Sequence, residues 1–226
     1  MYIILVRHGE TDFNKLNITQ GSEVDPDINK FGIQQAEKTG EFISKNFKIS
    51  KIYSSPLLRA KHTAKIISKK LNFKKDITID RSIIEISKGI LSGKNKNEVK
   101  DIINKNEQLK KIINIQKNNY FKYMMNYEKY FNIWAKNVNG EKLESIEKKS
   151  NDFFNKIKKN KGNVLVITHG SFIDHLVSKL TNSIKLPKNN IKGTQTNCSL
   201  TIINIIDNKY KIITVKNNYH LINLYK

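Results

Sequence analysis

The strongest pattern along the chain is a continuous apolar run that ends in a histidine and a glycine, and it occurs twice. Residues 2–6 are all apolar and lead directly into the tripeptide Arg-His-Gly at 7–9. Residues 164–167 repeat the pattern and lead into Thr-His-Gly at 168–170. Such runs are typical of strands buried on both faces of a parallel sheet. Two such strands would bring both histidines to one rim of the sheet, where α/β folds bind ligands.

Helical and strand patterns alternate over most of the chain. The predicted helices lie near residues 30–45, 57–71, 143–157 and 171–180. The predicted strands lie near residues 2–6, 51–53, 77–79, 163–167, 199–206 and 210–215. The last two strands suit a hairpin with a turn at Asp207 and Asn208. The alternation indicates an α/β fold with a mainly parallel sheet.

The alternation lapses at about residues 94–139, which are lysine-rich and helical in character. We expect a helical insertion there that packs over the sheet edge and forms a lid, within a single domain covering residues 1–226. Its aromatic residues have spacings of three and four, which favour a core position over a base-stacking surface. These residues are Tyr120, Phe121, Tyr123, Tyr127, Tyr130, Phe131 and Trp134.

Composition and charge bear on which classes of binding partner the protein has, above all nucleic acids and membranes. The chain has 41 Lys and Arg against 20 Asp and Glu, a net charge of +21. Such an excess is typical of nucleic-acid-binding proteins, but the lysines are scattered through nearly every segment, so we do not expect nucleic-acid binding. No apolar run approaches the roughly 18 residues of a membrane span, and residues 1–7 are too short for a signal peptide. We therefore expect a cytoplasmic protein with no membrane partner, and Cys198 as a buried apolar residue.

An ordered set of short motifs carries the chemistry. The motifs are Arg7-His8-Gly9-Glu10-Thr11, Asn14, Gln20-Gly21, residues 28–36, residues 53–64 with Arg59, Glu85 with Gly89, Leu91 and Gly93, Thr168-His169-Gly170, and Asn197-Cys198-Ser199. Together they resemble the signature of the histidine phosphatase superfamily, also called the phosphoglycerate-mutase-like family. One tripeptide alone would be weak support, whereas this ordered set spans the chain. The resemblance implies a three-layer α/β/α sandwich with the active site at the C-terminal rim of its sheet.

The resemblance also implies catalytic roles. His8 would accept the phosphoryl group on one ring nitrogen while the other donates to a backbone carbonyl. Arg7, Arg59 and His169 would neutralise the phosphate oxygens, since guanidinium forks match them well. Glu85 would protonate the leaving oxygen and then activate water, which requires a carboxyl group that holds its proton near neutral pH.

The expected substrate-binding set is larger than the catalytic set. It comprises Arg7, Asn14, Gln20, Gly21, Arg59, His169 and Gly170. Asn14 would add a neutral donor, whereas Gln20 and Gly21 suit either substrate contact or a loop-shaping role. Glycines at 9 and 170 would let the backbone approach the phosphate. The chain has no His-x-His motif or clustered aspartates, so we expect no metal and no cofactor.

The expected function is hydrolysis of a small phosphorylated metabolite by a monomer or homodimer. The alternative is a 2,3-bisphosphoglycerate-dependent phosphoglycerate mutase. Such mutases typically have Arg-His-Tyr after the acid, whereas this chain has Ile-Ser-Lys at 86–88, and only Lys110-Lys111 could replace their paired arginines. A third hypothesis is a non-catalytic basic RNA-binding or scaffold protein on the same fold. The complete catalytic set argues against it.

Overall fold

Six strands form a single sheet in the computed structural model, which describes residues 1–181, 196–207 and 209–225. The strands are β1 (Tyr2–Arg7), β2 (Ile49–Ser54), β3 (Thr78–Ile79), β4 (Asn163–Thr168), β5 (Leu200–Ile206) and β6 (Lys209–Asn217). Their order across the sheet is β3-β2-β4-β1-β5-β6. The first four strands are parallel, and the β5–β6 hairpin adds antiparallel pairing at one side. The mainly parallel sheet is thus confirmed; Asn208 of the predicted turn lies outside the described residues.

The described ranges also contain nine α-helices. They are α1 (Asp12–Lys15), α2 (Lys30–Asn46), α3 (Leu58–Lys70), α4 (Lys96–Asn104), α5 (Glu107–Asn118), α6 (Tyr120–Met125), α7 (Tyr127–Val138), α8 (Leu143–Ile157) and α9 (Gly170–Thr181). Three short 3-10 turns lie at Arg81–Ile83, Gly89–Leu91 and Tyr219–Leu224. None of the helices in these ranges has the length and apolar character needed to cross a bilayer.

The sheet is covered by helices on both faces because its central strands are apolar on both sides. Ile3 and Leu5 of β1 belong to a core that includes side chains of α7, α8 and α9. Ile4 and Val6 belong to a second core with side chains of α2 and α3. Successive residues of a strand point to opposite faces, so each continuous apolar run contributes to both cores. This arrangement confirms the expected three-layer α/β/α sandwich.

Helices α4 to α7 occupy residues 96–138, within the segment expected to be an insertion. They pack mainly among themselves and on α8, α9 and the Gly89–Leu91 turn. Tyr127 and Phe131 are each only 4% exposed and belong to the core with α8 and α9. These two aromatic residues are therefore core residues, as their spacing predicts. The lid role expected for the insertion stays a prediction.

The loop after β1 crosses the first turn of α2 with almost no space between the two backbones. A Cβ atom on Gly9 would lie 2.6 Å from the carbonyl oxygen of Gly32, and one on Gly32 would lie 2.2 Å from the carbonyl oxygen of Glu10. Real Cβ atoms do not approach backbone oxygens so closely. The need for glycine at position 9 therefore arises from helix packing, whereas the sequence suggested approach to phosphate.

The contact between this loop and α2 predicts that Gly32→Ala is destabilising. The added methyl group would force the two backbones apart, and overpacking of this kind costs about 1–3 kcal/mol of unfolding free energy. The matched control is Ser44→Ala, on the exposed side of α2, which should change the unfolding free energy by less than about 0.5 kcal/mol. Urea unfolding of both variants checks this, and equal midpoints would contradict the packing argument.

Candidate active site

Strands β1 and β4 bring the two histidine motifs together. They pair in parallel with Arg7 opposite Thr168, so the residues that follow leave the sheet side by side. The imidazole ring centroids of His8 and His169 are 5.3 Å apart, with a tilt of 55° between the rings. The two strands thus place both histidines at one rim, as the sequence predicts.

The ring of His8 is held in one tautomer. Its Nδ1 lies 2.8 Å from the carbonyl oxygen of Gly9. A carbonyl oxygen can only accept a hydrogen bond, so Nδ1 carries the proton and Nε2 has a free lone pair. Burial lowers the pKa of His8 well below 6.5, and the charges of Arg7 and Arg59 lower it further. The imidazole of His8 is therefore neutral at neutral pH.

His169 is oriented by Ser55, a residue of the 53–64 motif to which the sequence assigned no role. The Nε2 atom of His169 lies 2.7 Å from Ser55 Oγ, and the Leu57 amide donates to the same oxygen at 3.4 Å. We infer that the Ser55 hydroxyl donates to Nε2, which leaves the proton of His169 on Nδ1. That Nδ1 is buried without a hydrogen-bond partner among the described residues. Burial, followed by the charge of Arg59, lowers the pKa of His169 well below 6.5.

Arg59 is fully buried and is anchored by the loop formed by residues 21–25. Its Nη2 donates to the Gly21 carbonyl at 2.7 Å, and its Nη1 donates to the Val24 carbonyl at 3.0 Å. Asp25 adds a carboxylate oxygen 3.5 Å from Nη1. Burial lowers the pKa of Arg59, while the charges of Glu85 and Asp25 raise it. The loop holds the guanidinium in place beside the cavity that Arg59 lines.

Arg7 and Glu85 line the same cavity. Burial lowers the pKa of Arg7, while the charge of Glu85 raises it. One carboxylate oxygen of Glu85 accepts from the Ile86 amide at 2.9 Å, and the other lies 3.5 Å from the Ser171 amide. The carboxyl group is 8% exposed. Glu85 is thus held between its own loop and the first turn of α9.

A cavity of about 260 Å³ lies at this rim. Most of the residues predicted for the site line it together: Arg7, His8, Asn14, Gln20, Gly21, Arg59, Glu85 and Gly170. His169 does not line the cavity but lies fully buried beside His8. The fold therefore assembles the predicted residues, which come from six separate segments, around one space.

Asn14 lines the cavity, and its side-chain oxygen is already engaged in hydrogen bonds. Its Oδ1 accepts from the Thr11 amide at 3.2 Å and from Asn197 Nδ2 at 3.0 Å. Asn197 also donates to the carbonyl of His8 at 3.1 Å, which ties the Asn197 loop to the loop after β1. The Oε1 atom of Gln20 is buried with no partner in the described part of the chain. Both side chains can thus offer polar atoms to a ligand.

Six further residues line the cavity and were absent from the predicted set. They are Ile18, Lys88, Gln116, Asp174 and the pair Thr19 and Ser171. Lys88 donates to Ser171 Oγ at 2.6 Å, and Asp174 forms an ion pair with the buried Lys216 at 3.3 Å. Helical spacing could have found Asp174, since it follows Gly170 by four residues and shares its helix face. Lys88 and Gln116 reach the site only through tertiary packing.

A family model of the histidine phosphatase superfamily (branch 1) matches residues 3–218. The chain belongs to this superfamily. Over 100 residues it is 37% identical to fructose-2,6-bisphosphatase TIGAR of Xenopus tropicalis, a match that covers 43% of this chain and 36% of that protein. Over 91 residues it is 43% identical to phosphoglycerate mutase-like protein 4 of Arabidopsis thaliana, covering 40% of this chain and 39% of that protein. The matches thus span less than half the length of these two relatives.

The whole fold is shared with phosphoglycerate mutase from Bacillus anthracis str. Sterne. The TM-score is 0.81 at 21% sequence identity, and the match covers 100% of this chain and 97% of that chain. At this identity the likeness establishes the fold, which is the phosphoglycerate-mutase-like fold expected from the motifs.

Buried neutral histidines predict a loss of stability at mildly acidic pH. Burial lowers the pKa of His175 to about 4. Below pH 6.5 this imidazole is therefore protonated in the unfolded chain but stays neutral in the folded chain. This stability is present above pH 6.5 and is lost as the pH falls towards 4. By linkage, His175 alone should cost about 2 kcal/mol between pH 7 and pH 5. Urea unfolding should therefore show that His175→Gln loses about 2 kcal/mol less unfolding free energy between pH 7 and pH 5 than the unmodified protein does.

The control for the pH prediction is His62→Gln. The His62 side chain is 37% exposed and lies beside Asp27 at the surface. Its removal should therefore leave the loss of unfolding free energy between pH 7 and pH 5 unchanged. If His175→Gln and the unmodified protein lose the same free energy between pH 7 and pH 5, the buried-histidine argument is wrong.

Proposed function

We propose that this chain is a phosphatase that hydrolyses small phosphate monoesters through a phosphohistidine on His8. One observation carries the proposal: the Nδ1–Gly9 hydrogen bond leaves a neutral Nε2 in a cavity that Arg7 and Arg59 also line. Membership of the histidine phosphatase superfamily supports it. A neutral nucleophile among cations is what attack on a phosphate dianion requires.

In the proposed first step, Nε2 of His8 attacks the phosphorus atom, and the bond to the ester oxygen breaks. Arg7 and Arg59 stabilise the equatorial oxygens, and the amide of Asn14 adds a neutral donor. His169 does not line the cavity, but its Nδ1–H lies beside His8 with no partner among the described residues, so in this proposal it donates to the phosphoryl group on His8. These groups are held in place by the protein before substrate binds, so little reorganisation is needed in the transition state. The amides of Gly170 and Ser171 at the start of α9 add a favourable field for an anion.

Glu85 completes the proton transfers in this scheme. It gives its proton to the leaving alcohol in the first step and then accepts a proton from the water that attacks the phosphohistidine. The P–N bond breaks, inorganic phosphate leaves, and His8 returns to its neutral form. The proposal includes no metal ion; in the described part of the chain, no three His, Cys, Asp or Glu side chains cluster as a metal site. Chelator in the assay tests that point directly.

The mutase alternative differs only in the acceptor of the phosphoryl group. Mutases typically have an arginine at the position of Ile86, and here Ile86 is fully buried in the core with α8 and α9. Of residues 86–88, only Lys88 lines the cavity. This supports water as the acceptor. The proposal includes a small phosphorylated metabolite as partner and a cytoplasmic location; the predictions on nucleic acid and oligomeric state remain predictions.

Loss of the nucleophile should abolish turnover. Assayed with 4-nitrophenyl phosphate and excess chelator, His8→Ala should lose at least about a thousandfold in kcat. Rapid acid-free quenching of the unmodified protein should trap a phosphoenzyme that is labile to acid and stable to base, as expected for phosphohistidine. His62→Ala, outside the cavity, is the control and should retain activity. Full activity in His8→Ala, or no activity in the unmodified protein, would refute the proposal.

The same preparation distinguishes hydrolysis from mutase activity. We expect phosphate release from monoesters to exceed any interconversion of monophosphoglycerates in the presence of the bisphosphate. Faster interconversion than hydrolysis would make the chain a mutase, with His8 keeping the same role.

Ser55 should act as a positioning residue for His169. Ser55→Ala removes the 2.7 Å hydrogen bond to Nε2, so His169 is no longer held in one tautomer. The loss should cost about 1–1.5 kcal/mol of transition-state binding, which is about tenfold in kcat/KM. Vanadate, as a phosphate analogue, should bind more weakly by a similar factor. Ser54→Ala is the matched control, since Ser54 Oγ donates to the Ser55 carbonyl and not to His169. Unchanged vanadate affinity in Ser55→Ala would exclude the positioning role.

A further inference from the structure

A second cavity, of about 220 Å³, adjoins the catalytic cavity where the insertion faces α9. The two cavities share five wall residues, which we call the neck: Thr19, Lys88, Gln116, Ser171 and Asp174. Because the walls are shared, a ligand whose phosphate lies beside His8 can extend through the neck into the second cavity. The second cavity is thus positioned to receive the alcohol part of a phosphate ester.

The second cavity changes from polar to apolar with distance from His8. Every residue of the neck is polar or charged, whereas every other lining residue is apolar or aromatic. The latter are Leu91, Ile112, Ile113, Tyr123, Tyr127, Phe131 and Trp134. Their rings pack on one another: the Phe131 centroid lies 5.3 Å from that of Trp134 and 5.4 Å from that of Tyr127. The far end therefore offers dispersion contacts and ring faces to a ligand, without charge.

The charges at the neck do not suit a second phosphate or a carboxylate. Among the described residues that line the second cavity, Lys88 is the one cation, and Asp174 supplies a carboxylate in the same neck. Lys88 Nζ is already bonded to Ser171 Oγ and lies 5.0 Å from the centre of the Trp134 ring. An additional anion would need a surplus of positive charge such as an arginine fork provides. The neck provides one engaged lysine, and its carboxylate is already paired with the buried Lys216, so no surplus of positive charge is left for an additional anion.

The size of the second cavity fits one aromatic ring. An apolar cavity of about 150 Å³ in an engineered protein is large enough to bind benzene, and this cavity is about 220 Å³. A ring seated there would be surrounded by side chains of α5 and α7, and its linker would pass between Lys88 and Asp174.

We propose that the substrates are monophosphate esters of alcohols that carry a flat aromatic group, with the ring in the second cavity. The inference rests on the proposed phosphatase function and specifies its substrate class. Hydrolysis then breaks the P–O ester bond, Glu85 supplies the proton to the aromatic alcohol, and water takes up the phosphoryl group from His8. Ile113 and Trp134 are specificity-determining residues in this scheme, since they line the cavity far from His8.

A pair of substrates tests the ring site directly. 2-Phenylethyl phosphate and ethyl phosphate break the same kind of bond and have similar leaving groups, so a difference in kcat/KM reports the phenyl ring. We expect at least a tenfold preference for the phenylethyl ester. A preference below twofold, or faster hydrolysis of 3-phosphoglycerate or fructose bisphosphates than of the phenylethyl ester, would overturn the substrate class and leave the phosphatase proposal standing.

A matched pair of variants locates the ring. Ile113→Gln places an amide in the apolar end and should lower kcat/KM for the phenylethyl ester about tenfold, while ethyl phosphate changes less than twofold. Ile115→Gln makes the same change two residues along α5, at a half-buried position outside the cavity lining. This variant should leave kcat/KM unchanged for both esters. Equal losses on both substrates in Ile113→Gln would contradict the assignment.

Binding without turnover separates this inference from the proposed function. Trp134 is the single tryptophan of the chain, so its fluorescence reports occupation of the second cavity. In His8→Ala, 2-phenylethyl phosphate should change this fluorescence in a saturable way, and ethyl phosphate at the same concentrations should not. If no ester is hydrolysed by the unmodified protein but this change is seen, the phosphatase proposal fails and the ring site stands. If neither ester affects Trp134, the ring site is wrong.

Discussion

The pairing of β1 with β4 is the constraint on which the rest of this site depends. Arg7 lies opposite Thr168, so both strands end at the same level and the rings of His8 and His169 come within 5.3 Å. A register shift of one residue would turn every side chain of β4 to the opposite face. Val166 and Leu165 pack in separate cores on the two faces, so such a shift would disrupt both. The cores thus hold the active site in register.

Burying arginine beside histidine is costly, and the structure offsets that cost with fixed acceptors. Arg59 donates to the carbonyls of Gly21 and Val24, and Asp25 places a carboxylate oxygen 3.5 Å from its Nη1. A buried cation with such partners keeps its place before any ligand binds. The same burial and positive charge lower the pKa of His8, which keeps its imidazole neutral. One electrostatic arrangement therefore keeps two guanidinium groups and a neutral imidazole side by side, as the proposed phosphoryl transfer requires.

Glu23 links the phosphate end of the site to the neck of the second cavity. It belongs to the loop that anchors Arg59, and its carboxylate accepts from Ser92 Oγ at 2.6 Å and from the Gly89 amide at 3.1 Å. It also accepts a hydrogen bond from Ser87. These donors lie on the segment that carries Lys88. One carboxylate thus ties the loop that anchors Arg59 to the segment that carries Lys88.

The sequence by itself determined the framework and most of the predicted residues that line the cavity. Continuous apolar runs report burial on both faces, so β1, β4 and the placing of His8 and His169 at one rim could be predicted locally. Tertiary structure alone decided the hydrogen bond from Ser55 to His169, the carbonyls that hold Arg59, and the second cavity. The physical reason is that periodicity records how each segment is buried, whereas these features arise where segments far apart in the chain meet. Such contacts depend on packing, which no local pattern records.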